Sequence, residues 1–185
     1  MRFLLFFVIT LFILIVNPSY SFSISLSIDD LKQKALVVSM DDNHSVPYFD
    51  DVITVDGKLD EALWNDALVW KLPYEIHVGH NAMAPMETYF LLASTSQEFL
   101  MAFVCHDPAP NNIRATRADR DRWSSREDDH IGVYIDTFGD QRSAYYIAVN
   151  AQGVQFDAMR LDRGGQGTSD DASFDFMWKS AARLT

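Results

Sequence analysis

The clearest pattern of apolar and polar positions lies between His130 and Ala158. Ile131, Val133 and Ile135 alternate with His130, Gly132, Tyr134 and Asp136, the period-two signature of a strand buried on one face. The turn T-F-G-D follows, and then Tyr145, Ile147 and Val149 alternate with Tyr146, Ala148 and Asn150. Asn150-Ala151-Gln152-Gly153 makes a second turn, after which Val154, Phe156 and Ala158 open a third run. Short runs joined by Gly/Asn/Asp turns predict an antiparallel meander. One face of it is aliphatic; the other carries rings, a histidine and an asparagine.

The same reading places further strands at Val52 to Val55, Leu68 to Leu72, Tyr74 to Val78, Thr88 to Ser94, Glu98 to Cys105 and Met177 to Leu184. Thr95-Ser96-Gln97 links the fourth and fifth of these as a hairpin. Asp162 to Asp171 is rich in Gly, Ser and Asp and reads as a loop. After the turn Asp56-Gly57, Asp60 suits a helix N-cap and Glu61 the first turn, with Leu63, Trp64 and Ala67 on one face of a short helix. Trp64 is expected to plug a core rather than present a ring to a ligand. Many short strands and one short helix predict an all-β fold, an antiparallel β-sandwich of jelly-roll type.

Residues 1–21 read differently. Arg2 precedes an apolar run from Phe3 to Val16 broken only by Thr10; Asn17-Pro18 ends it, and Ser19-Tyr20-Ser21 offers small residues to a peptidase. The run is shorter than the roughly 20 residues a membrane span needs. A cleaved secretory signal is expected, with an uncleaved anchor as the alternative. Residues 22–50 are Ser/Asp-rich without a sustained period and read as a tether, with room for a short helix at Ile28 to Val38. Residues 51–185 then make one domain.

Composition sharpens this picture. A net charge of −11 over 185 residues repels phosphates and argues against nucleic acid as a partner. Cys105 is the only cysteine, so no intrachain disulfide forms. Lying in the run Phe99 to Cys105, it is expected to be buried as a small hydrophobe. An exported, acidic, disulfide-free chain suits a bacterial periplasm or cell envelope.

Several short motifs, taken in order, are similar to a known family. Val55-Asp56-Gly57-Lys58-Leu59-Asp60-Glu61-Ala62-Leu63-Trp64 resembles the opening of family 9 carbohydrate-binding modules. Phe99 to Pro108 resembles the strand and loop that follow there, and Asp128 to Asp136 a later strand. With Arg117, Arg120-Asp121, Ala144-Tyr145-Tyr146, Val149-Asn150 and Gly153 to Ala158, the likeness is to a subgroup. Its modules open large bacterial envelope proteins with an outer-membrane-type β-barrel at the C-terminus. The resemblance covers about residues 50–184. It implies a β-sandwich that binds polysaccharide or oligosaccharide, accessory to carbohydrate catabolism and without catalysis of its own. It also implies further strands after the one at Met177 to Leu184, so the domain is expected to be incomplete at its C-terminus. Sugar-binding members carry a carboxylate where this chain has Gly132 and an arginine where it has Ala148. Of the paired tryptophans that sandwich the sugar, Trp123 is the candidate for one.

Sugar binding needs flat apolar area against the pyranose ring and planar polar groups for its hydroxyls. Strand alternation puts His130, Tyr134, Tyr146 and Asn150 on one face. With Trp123 in the preceding loop, they make the candidate ligand-binding set. In the competing structural reading, Tyr134 and Tyr146 pack against the second sheet while His130 and Asn150 satisfy turn backbone. Arg114, Arg117, Arg120, Arg122 and Arg126 interleave with Asp119, Asp121, Glu127, Asp128 and Asp129. They are expected to clamp the loop to the sheet rim by ion pairs, an anionic-glycan site being the sharper alternative. Asp136, Asp140, Asp157, Asp162, Asp170, Asp171 and Asp175 offer oxygens to a structural calcium, without EF-hand spacing. Neighbours on a strand point to opposite faces, so Asp128 and Asp129 are not a glycosidase pair, and no nucleophile motif or phosphate loop occurs. Three readings stand: an exported carbohydrate-binding module, a docking domain for a β-barrel without sugar affinity, or the positioning part of a longer hydrolase.

Overall fold

The computed structural model describes residues 8–16, 26–36, 44–50, 52–75, 82–124 and 127–185. The chain forms two compact units, residues 1–111 with 178–185, and residues 112–177. Each is built on one sheet, and the described residues are all-β with one short α-helix, as the alternation predicts.

The first unit holds β1 (Val8–Val16), α1 (Ile28–Lys34), β2 (Leu68–Lys71), β3 (Thr88–Ser94), β4 (Glu98–His106) and β9 (Trp178–Leu184), in the sheet order β2-β3-β4-β1-β9. β2, β3 and β4 are antiparallel neighbours. The run Val8–Val16, inside the expected export signal, is a strand parallel to both β4 and β9. Register explains the core. Tyr89, Leu91 and Ala93 stand opposite Val104, Ala102 and Leu100, and none of the six is more than 2% exposed. The next residues along turn to the other face, where the Phe90 ring stacks on Trp70 and tilts against Phe103.

Three expectations about this unit need correcting. Val52 to Val55 enters no ladder, although Ile53 and Val55 pack against the core; its apolar side chains have a use but its backbone has no partner strand. The expected helix at Asp60 is a short 3₁₀ turn, Ala62–Asn65, with Glu61 rather than Asp60 at the N-cap position. The Glu61 carboxylate accepts from the Trp64 indole N–H at 3.0 Å instead of capping backbone, and Trp64 is the fully buried core residue expected. The segment read as a tether is also tied down where it is described. Ser27 and Asp30 make a reciprocal capping box for α1, and Leu26 and Leu31 are buried in the core. The Phe49 N–H donates to the Ser94 carbonyl. Of the expected strand Tyr74 to Val78, Tyr74 makes a single bridge with Met83, and residues 76–78 lie outside the described residues.

The second unit is an antiparallel sheet of β5 (His130–Ile135), β6 (Ser143–Asn150), β7 (Gln155–Asp162) and β8 (Thr168–Asp171). The first three strands are those the alternation predicts; β8 lies in the stretch read as a loop. Its polar residues join the sheet because Arg160 and Asp170 stand opposite each other and form a bidentate pair at 2.7 and 2.8 Å. Gly153, at φ 79, supplies the left-handed residue that the Asn150 to Gly153 turn requires. Ile147 and Val149 are fully buried on one face, and Tyr134, Tyr146, Ala148 and Arg160 belong to the other.

Candidate binding groove

The five candidate residues fall into two groups. Trp123, His130 and Asn150 belong to an anchor that ties the loop at residues 112–129 to the sheet. Asn150 is fully buried, and its side-chain amide donates to the Thr116 carbonyl at 2.9 Å and to Asp128 Oδ2 at 2.8 Å. Its oxygen accepts from the Gln152 and Val154 N–H groups at 3.0 Å. Every polar atom of that amide is committed to the fold. The Trp123 indole N–H donates to the Gln155 carbonyl at 3.2 Å, its ring lies against His130 and Phe156, and 8% of the residue is exposed. His130 Nδ1 bonds the Asp128 carbonyl at 3.0 Å. Here the turn-satisfying reading describes the geometry better than a sugar-facing one.

Asp128 holds this anchor. Burial alone would raise its carboxyl, but the Thr116 N–H, the Asn150 amide and the Thr116 hydroxyl outweigh burial and hold it below the usual range. Asp129 accepts the Arg114 N–H at 2.8 Å. The arginine-rich loop is clamped as expected at Arg120, whose guanidinium binds fully buried Asp157 and the Phe176 carbonyl at 2.7 Å. Arg126 lies outside the described residues.

Tyr134 and Tyr146 behave otherwise. They stand opposite each other on β5 and β6, rings stacked at 4.4 Å and 16°. Tyr146 is buried and also meets Phe156 edge-on, and burial pushes its hydroxyl up to about 12. Tyr134 is 48% exposed, with the Arg160 guanidinium carbon 4.7 Å over its ring. Beside it runs an open groove of about 250 Å³, lined also by Gln141, Arg142, Ser143 and Asp162. Gln141 takes φ 55 at the end of the T-F-G-D turn. Asp136 sets that turn by accepting the N–H groups of Gln141, Gly139 and Phe138, which hold its carboxyl below its ordinary value. A carboxylate so engaged does not serve as a general acid. The groove is thus an aromatic edge with planar amide and guanidinium groups and the carboxylates of Asp136 and Asp162 around it.

Gly132 and Ala148, where sugar-binding members of the resembled family carry charged groups, are direct neighbours across β5 and β6. A Cβ at Gly132 would come within 2.6 Å of the Tyr146 ring. The tyrosine occupies the space that a longer side chain would need.

The acidic residues offered for calcium are scattered. Asp170 pairs with Arg160, and Asp140 accepts turn amides. Asp157 and Asp175 meet Asp121 of the arginine-rich loop, with carboxylate oxygens within 4.8 Å of one another. The Arg120 guanidinium already sits among them, 3.6 Å from Asp121 and 3.7 Å from Asp175. That arrangement fits a guanidinium better than a divalent cation, which would have to share the space with a fixed positive charge.

Comparisons with protein-family models, with curated proteins and with solved structures return no match for this chain.

Proposed function

We propose that this chain is an exported, non-catalytic carbohydrate-binding module of a bacterial envelope protein, and that it holds polysaccharide in the groove beside Tyr134. The observation that carries the reading is the pairing of a half-exposed tyrosine, backed by a buried second ring, with Gln141, Arg142 and Arg160 around one groove. Sugars demand that combination: ring area for the C–H face and planar donors and acceptors for the hydroxyls. Without charged groups at Gly132 and Ala148, the site relies on the rings and the groove rim.

A glycan array probed with the full chain tests this. Tyr134→Ala should abolish retention on the glycans bound, with little change in melting temperature, because the side chain is half exposed. Trp123→Ala should instead lower the melting temperature, since it empties a buried position at a cost of about 3–5 kcal/mol.

The second reading is a docking domain for a β-barrel without sugar affinity. It is favoured by the commitment of Trp123, His130 and Asn150 to internal contacts, and a blank array with a stably folded chain would select it.

A further inference from the structure

The backbone around β1 supports an inference of a different kind, one that rests on residues 1–21 being an export signal. β4 and β9 do not pair with each other. Each pairs with β1, from Val8↔Glu98 to Val16↔His106 on one side and from Ile9↔Trp178 to Ile15↔Leu184 on the other, and all three run parallel. Taking β1 away leaves two edges facing each other across the width of one strand, about 10 Å from two inter-strand spacings.

Alternate N–H and C=O groups of both edges turn into that gap, too far apart to bond one another. β4 is a core strand, with Leu100 to Val104 at most 5% exposed while β1 is in place. Backbone groups orphaned there give up their ladder bonds with no protein partner in reach. An ordinary sheet edge offers a peptide one ladder; this seam offers two, nine residues long on β4 and seven on β9.

We propose that the seam between β4 and β9 is a strand-acceptor slot. Once the signal is removed, it takes an extended segment of a partner polypeptide, parallel to both edges. Its chemistry follows from the slot: seven to nine residues to match the edges, no proline, because both sides of its backbone must bond, and apolar, like the V-I-T-L-F-I-L-I-V that sits there.

The test starts from the folded full chain with a specific protease site inserted between Ser21 and Phe22. After cleavage, the protein is given an excess of a fluorescent peptide carrying residues 8–16 flanked by lysines. Saturable uptake is expected, with displacement of the cut strand. In cut protein stripped of β1, alternate amides of Phe99 to Cys105 and Lys179 to Arg183 should exchange about tenfold faster or more, and the peptide should restore their protection. A peptide with Leu11→Pro and Ile13→Pro should stay free. Equal binding of both peptides would overturn the proposal. So would protection of those amides in stripped protein without peptide, whether the seam closes on itself or on a second copy. The export reading is judged separately, by the N-terminal mass of protein recovered from a secreting host. Retention of Met1 would refute that reading and leave the peptide result standing on its own.

Discussion

Replacing Gly132 by alanine puts two physical effects in opposition. Gly132 is in the middle of β5 and is not among the glycines with positive φ, so its backbone accepts any residue. Propensity alone predicts a gain of about 0.5–1 kcal/mol, because alanine loses less freedom on folding. Packing predicts the reverse. The new Cβ would lie 2.6 Å from Tyr146 Cε2, 2.9 Å from its hydroxyl oxygen and 3.1 Å from Cζ. The ring would have to retreat by about 1 Å to reach ordinary contact at about 3.5–4.0 Å. It is held by Tyr134 at 4.4 Å and Phe156 at 5.9 Å, so the retreat breaks the stack. Overpacking of this kind costs about 1–3 kcal/mol, and the net expectation is a loss of about 1–2 kcal/mol. Urea unfolding of the full chain should show a lower midpoint with an unchanged slope. In a Tyr146→Ala background the same change should become neutral or stabilising. A stabilised Gly132→Ala single variant would refute the placement of the Tyr146 ring, and with it the backing of the groove.

Three further outcomes follow from the same geometry. Arg120→Met should cost about 3 kcal/mol, because it removes the cation that balances the fully buried Asp157 carboxylate while the Phe176 N–H stays bound to it; Asp157→Asn in the same chain should recover part of that, and a neutral effect of Arg120→Met in urea unfolding would argue against the clamp. Asp128 has its folded-state carboxyl held down by donors, so its contribution is present above the unfolded value of about 3.9 and is lost as pH falls below about 4 through the folded one. The melting temperature should therefore drop on acidification below about pH 4, with a shallower drop in Asp128→Asn. Burial pushes the Cys105 thiol up to about 11, so a thiol reagent at pH 8 should react slowly with folded protein and quickly once urea unfolds it.

Alternation told which face of the meander each residue joins, because the side-chain period of a strand is fixed by its backbone. It could not tell which residues of that face a loop would cover. His130 and Tyr134 share a face four residues apart, yet one is bound into the anchor and the other lies on the groove. Asn150 joins the candidate set because alternation puts it on that face, yet its side-chain amide is buried and makes four hydrogen bonds inside the fold. The short helix for which Ile28 to Val38 left room forms as α1, Ile28–Lys34, and the Ser27-x-x-Asp30 pattern before Leu31 marks its start. β8 was not readable, since its place comes from an ion pair with Arg160 and not from apolar period. Gln141 and Arg142 reach the groove through a turn whose shape depends on Asp136 and a left-handed residue, a geometry that residue types alone do not specify.

Depletion binding to an insoluble polysaccharide, measured for the full chain and for Tyr134→Ala at matched melting temperature, tests the groove most directly. The expected result is saturable removal of the wild-type chain from solution and at least about tenfold weaker retention of the variant, corresponding to about 1.4 kcal/mol. Equal retention of the two, or no retention of a folded wild-type chain on any glycan tried, would contradict it.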